Sequence, residues 1–142
     1  MAKDGFDIVT DVMNLINIPS ILALLEGGQV DPSVKTTSSS VKGIVVSSLG
    51  ITNGAEQVGN GNINCYAPPI ISTIDDKSVL LPDQSALSTL AKAISPLVDG
   101  YRGSNFECWI TTMPTIMQDT EGGYFANLQF EYRASQYNLK NI

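Results

Sequence analysis

Between Asp83 and Gly100 the chain carries one unbroken apolar stripe: Leu87, Leu90, Ala91, Ile94, Leu97 and Val98. Their spacings of three and four put these side chains on a single face of a helix. Asp83 follows Pro82 as an N-cap, and Pro96 tightens the last turn because it removes an intrahelical hydrogen bond. A helix with so continuous a stripe must lay it on another layer. The chain supplies that layer further on, where Tyr124, Ala126, Leu128, Phe130 and Tyr132 alternate with Phe125, Asn127, Gln129, Glu131 and Arg133. That is the pattern of a strand with one buried face.

The remaining elements are weaker. Phe6, Val9, Val12, Met13 and Ile16 form a helical stripe over Asp4 to Ile18, with Asp4 and Asp7 suited to its first turn. Ile21 to Leu25 reads as a short turn of helix or a strand, ended by Gly27-Gly28. The stretch 30–41 has no period and is expected to be an extended loop. Val41 to Leu49 is a β-branched strand, and Asn53-Gly54 is a turn dipeptide. Glu56 to Tyr66 is a second strand, but Gly59-Asn60-Gly61-Asn62 is too poor in packing side chains for a core position. Residues 50–61 are therefore expected to form an exposed hairpin arm, or an edge that pairs with something else. Ile70 to Leu81 leads across to the long helix. Phe106 to Thr112 is a third strand, joined to the fourth by a linker holding Pro114 and the turn Glu121-Gly122-Gly123. Residues 134–142 read as a C-terminal tail that needs a partner to be ordered. The expected fold is a single α+β domain over 1–142, a mainly antiparallel four-stranded sheet with two helices packed on one face.

At 142 residues the chain has the length of one domain that needs no metal or disulfide to hold its core. Charged residues make up only 15%, below the usual quarter, which favours a subunit that hides surface against partners. A net charge of −6 with eight scattered basic residues disfavours a protein that grips nucleic-acid backbones. An acidic surface can instead let DNA slide past. No apolar run approaches the roughly 20 residues of a bilayer span, and the N-terminus lacks the hydrophobic segment of a secretion signal. The chain is thus expected to be made and kept in a cytoplasm.

Catalytic chemistry finds little support. Histidine is absent, which removes the commonest general base and metal ligand. Cys65 and Cys108 lie in strand-like segments and read as buried thiols, with a disulfide open to them only if their strands are neighbours. No phosphate-cradling Gly-Lys-Ser or Gly-Lys-Thr occurs, and Gly59-Asn60-Gly61-Asn62 fits no dinucleotide fingerprint. Asp75-Asp76 is the closest carboxylate pair and reads as a solvated turn. Trp109 is expected in core packing rather than as a platform for bases. The expectation is a non-enzymatic protein with no cofactor and no metal.

The N-terminal helix, the strand Lys42-Gly43-Ile44-Val45-Val46, the strand ending Asn62-Ile63-Asn64-Cys65-Tyr66-Ala67-Pro68, the Leu87-x-x-Leu90-Ala91-x-x-Ile94 helix and the strand Tyr124 to Phe130 together resemble the tail-completion, or head-to-tail joining, proteins of tailed bacteriophages. The Gly59 to Asn62 glycines and the polar run Thr36 to Ser40 depart from that family's pattern. The resemblance implies a structural virion protein of the neck, a homo-oligomeric ring between portal or adaptor and tail proteins, through whose channel DNA passes without sequence-specific binding. It places the protein in the virion, assembled in the host cytoplasm, and away from membranes. Ring closure requires one patch to meet a different patch of the next copy. Three protruding segments are candidates for it: Val34, Lys35, Thr36 and Thr37 of the loop, Ile51, Thr52, Asn53, Val58 and Asn60 of the arm, and Tyr137 and Leu139 of the tail. The alternative reading is a small non-enzymatic adaptor or binding module acting through an exposed strand.

Overall fold

The computed structural model describes residues 2–135. Helix α1 (Gly5–Ile16) starts at a reciprocal capping box: the Asp7 N–H donates to the Asp4 side chain, and the Asp4 N–H to the Asp7 carboxylate. It buries Ile8, Val9, Val12 and Ile16, while Phe6, expected in the stripe, is 85% exposed because Ile8 sets the phase of the buried face instead. A second helix, α2 (Pro19–Leu24), opens with proline at its first turn and buries Ile21. Helix α3 (Gln84–Val98) matches its sequence pattern: the Asp83 carboxylate accepts from the Ala86 N–H, and Leu87, Leu90, Ala91, Ile94 and Val98 are buried.

The strands are β1 (Gln29–Pro32), β2 (Gly43–Ile51), β3 (Glu56–Ala67), β4 (Ile70–Ile74), β5 (Lys77–Leu81), β6 (Tyr101–Arg102), β7 (Glu107–Gln118) and β8 (Tyr124–Ser135). Six of them form one sheet in the order β1-β2-β3-β8-β7-β6, and β4 and β5 form a separate two-stranded ribbon. The expected four-stranded sheet with two helices is thus corrected to six strands plus a ribbon, with three helices among the described residues. Short pairings added the edges: Gln29 to Pro32, read as loop, lies parallel to β2, and Tyr101 and Arg102 flank Glu107 and Cys108.

One face of the sheet is the core. Ile44, Val46, Ile63, Cys65, Leu128, Phe130 and Tyr132 point into it, against Ile8, Val12 and Ile16 of α1 and the stripe of α3. The Tyr132 hydroxyl donates a short hydrogen bond to Asp11, which also pairs with Lys3 at 3.1 Å. Burial, and then Asp11, push the Tyr132 phenol well above its ordinary value, so it stays a neutral donor.

The expected hairpin arm is corrected most sharply. Its second half is the middle of the sheet: Asn60 pairs Glu131 and Gly61 pairs Phe130 on one side, while Gly61 faces Ser48 on the other. Glycine stands there because of close packing, not exposure. A Cβ on Gly61 would sit 2.1 Å from the Ser47 carbonyl oxygen and 2.6 Å from the Phe130 ring, and one on Gly59 would meet Ile8 Cδ1 at 2.6 Å. Strand β7 runs to Gln118, through the expected linker, because Pro114 falls in the register shift between Thr112 and Thr115, where it has no partner in β8 and its missing N–H is not called for. Cys65 and Cys108 are both buried and free: β8 separates their strands. Burial pushes each thiol up to about 12.

Candidate functional site

The sheet face opposite the helices is polar. Asn127 donates through Nδ2 to Asn62 Oδ1 at 3.1 Å and to Asn64 Oδ1 at 2.7 Å, and Thr112 donates to Gln129 Oε1 at 3.2 Å. Tyr66 and Phe125 close one end, ring centroids 5.2 Å apart. Arg133 lies over the Trp109 ring at 5.3 Å and pairs with Glu56 at 3.1 Å towards the other end. Trp109 is therefore half-buried on this outer face rather than in the core.

Parallel pairing of β1 with β2 forces the intervening chain to cross over a face of the sheet, and the helices fill the other one. The crossover 33–42 accordingly borders the polar face, where Val34, Lys35 and Thr37 line an open groove of about 420 Å³ with Asn64, Tyr66 and Tyr124. Its root is fixed by Asp31, which is buried and accepts from the Thr36 N–H at 2.9 Å, Thr36 Oγ1 at 3.0 Å and Gln29 Nε2 at 2.6 Å. Lys35 Nζ donates to the Ser38 carbonyl at 2.6 Å and to Thr37 Oγ1 at 2.8 Å. Burial lowers the Lys35 pKa, against the opposing pull of Asp31. Burial likewise raises that of Tyr66, and Asp119 adds to it.

The arm residues lie at the other end of β2 and β3. Ile51 packs against the core, and Thr52 and Val58 exchange backbone and side-chain hydrogen bonds, Thr52 N–H to the Val58 carbonyl and Val58 N–H to Thr52 Oγ1, both at 2.9 Å. Asn53 is exposed at the tip, and Asn60 is exposed on the polar face. The fold thus keeps loop and arm apart as two groups. Tyr137 and Leu139 lie outside the described residues.

Sequence reading missed the most apolar surface. Ribbon β4–β5 pairs Ile70 with Leu81 and Ile71 with Leu80 around an Asp75-Asp76 turn, whose two positive φ angles are those of a two-residue hairpin. Ile70, Ile71, Ile74, Leu80 and Leu81 are all exposed, Ile71 at 73%. The β-branched run between Pro69 and Pro82 was the available signal. The ribbon touches the body where Tyr124 donates to the Leu80 carbonyl at 3.1 Å. Beyond β6, the outer half of β7 (111–118) is wholly exposed and, among the described residues, is paired on one edge only, by β8; Met113 is 81% exposed, with Ile116 and Met117 beside it.

Among the described residues no group of three or more His, Cys, Asp or Glu is placed to hold a metal, and no helix is long and apolar enough to cross a membrane. The chain matches no protein-family model, and a comparison with curated proteins finds no match.

Proposed function

We propose that this chain is a structural virion protein of a tailed phage, a neck or tail-completion subunit that joins the portal-side connector to the tail as a ring around the DNA channel. The observation that carries the assembly role is the ribbon β4–β5, which holds five large aliphatic side chains exposed outside the core cluster. Apolar surface gathered on a projecting element and an open strand is what protein interfaces are made from. The neck assignment adds the motif resemblance and the acidic charge of −6, which suits a lumen that DNA passes without adhering.

The competing adaptor reading draws on the open edge of β7. That edge is a poor template for strand addition, since Pro114 and register shifts at 110/112 and 112/115 interrupt its ladder. Native mass spectrometry and electron microscopy of the purified chain separate the two readings. The proposal expects one discrete oligomer with a central opening lined by Asp and Glu. A lone monomer throughout the micromolar range, or a lumen lined by Lys and Arg, would overturn it.

A further inference from the structure

Beside the exposed half of β7 runs a groove that the chain's own ribbon does not enter. Two adjoining hollows, of about 270 and 300 Å³, lie between α3 and β7 and share Ala91, Lys92 and Pro114 in their walls. Leu87, Ile116 and Ala126 floor the first, and Ile110 and Met113 border the second. We infer that this groove is the receptor for the β4–β5 ribbon of a second copy of the same chain, so that each subunit offers a ribbon to one neighbour and a groove to another.

Three observations converge on that occupant. The first is chemistry: Ile71 and Leu80 project from one face of the ribbon, Ile70, Val79 and Leu81 from the other, and the groove has an aliphatic strip of Leu87, Ala91, Ile110 and Ile116 between polar rims that include Ser88, Ser95 and Thr112. The second is length. The five-residue strands span ~17 Å, and the 15-residue helix that forms one wall spans ~22 Å. The third is charge. Asp75 and Asp76 at the ribbon tip are exposed and form no ion pair among the described residues. Lys77 beside them is exposed and has no ion pair among those residues either, so the tip carries two carboxylates against one cation. Lys92, exposed on the lip shared by both hollows, is likewise without an ion pair among the described residues, whereas Lys3, Lys42, Arg102 and Arg133 are all paired. Asp99 lines the far part of the second hollow, so a net acidic tip is attracted at Lys92 and repelled towards Asp99, which favours one register over others. Broken by Pro114, the β7 edge leaves side-chain packing, not a continued sheet, as the mode of binding. Such a contact joins different patches and closes into a ring when the rotation allows it.

This inference rests on the assembly reading above, and the experiment separates their failures. Single-cysteine variants I71C and S88C of the full chain are prepared separately, mixed and mildly oxidised; the native thiols are buried and do not compete. A covalent dimer is expected in the mixture and in neither variant alone. K92E is expected to raise the dissociation constant of the oligomer at least about tenfold, and D75K/D76K to restore it when combined with K92E. All these positions are surface ones, so circular dichroism of each variant should match the parent. An oligomer that ignores both charge changes and yields no cross-link overturns the ribbon-in-groove contact and leaves the assembly role standing. A parent chain that stays monomeric overturns both.

Discussion

Two stretches of this molecule sit where the other's composition belongs. Gly59-Asn60-Gly61-Asn62 is written like a loop and lies in the centre of the sheet, whereas Ile70 to Leu81 carries five large aliphatic residues and leaves them exposed in a ribbon separate from that sheet. The lesson is that a residue's own apolarity does not place it. Its partners do: the Phe130 ring and the Ser47 carbonyl occupy the space that a side chain on Gly61 would need, while the described residues leave Ile71 73% exposed.

The largest test breaks the first half of that contrast. Gly61→Ala puts a methyl against backbone, which cannot swing aside as a side chain can, and should destabilise the fold by about 3 kcal/mol. Thermal unfolding should then fall by about 10 °C. An unchanged melting temperature would mean that Gly61 lies in open space after all. A smaller effect probes the strap that borders the polar face. Burial works to raise the Asp31 carboxyl, but hydrogen bonds from the Thr36 N–H, Gln29 and the Thr36 hydroxyl, together with the charge of Lys35, outweigh it and hold the pKa below 3.8. A depressed acid stabilises fully above its unfolded value, and that contribution fades as pH falls through the folded one. Asp31→Asn should therefore cost about 1 kcal/mol at neutral pH, and urea titrations should show the gap to the parent narrowing in acid. The smallest effect sharpens the second half: Ile71→Ser with Ile74→Ser should alter the stability of the dilute monomer by no more than about 0.5 kcal/mol, although the same pair should weaken the oligomer.

Much of the fold was legible. Helix α3, its Asp83 cap and the inward face of β8 follow from periodicity, because each lies against a full layer that enforces a single pattern. The phase of α1 was misread at Phe6, since a short helix with apolar residues on several sides leaves its buried face to tertiary packing. Strand β1 and the ribbon escaped notice because short pairings with Pro nearby resemble linkers. The candidate surfaces divided likewise. Thr36 and Thr37 were legible as a polar loop, but not the buried carboxylate that anchors it to the chain's own sheet. The groove beside α3 adjoins the register shifts of β7 between Ile110 and Thr115, which no local pattern encodes.

The position of β8 also sets a timetable. It is the last described strand to leave the ribosome, yet it lies between β3 and β7, and its Tyr132 meets Asp11 across 121 residues. Until it emerges, both of its neighbours wait with unpaired edges, so the sheet zips late and all at once. Synthesis of this protein therefore passes through an adhesive interval, and the cell must keep nascent copies from finding one another before each has found itself.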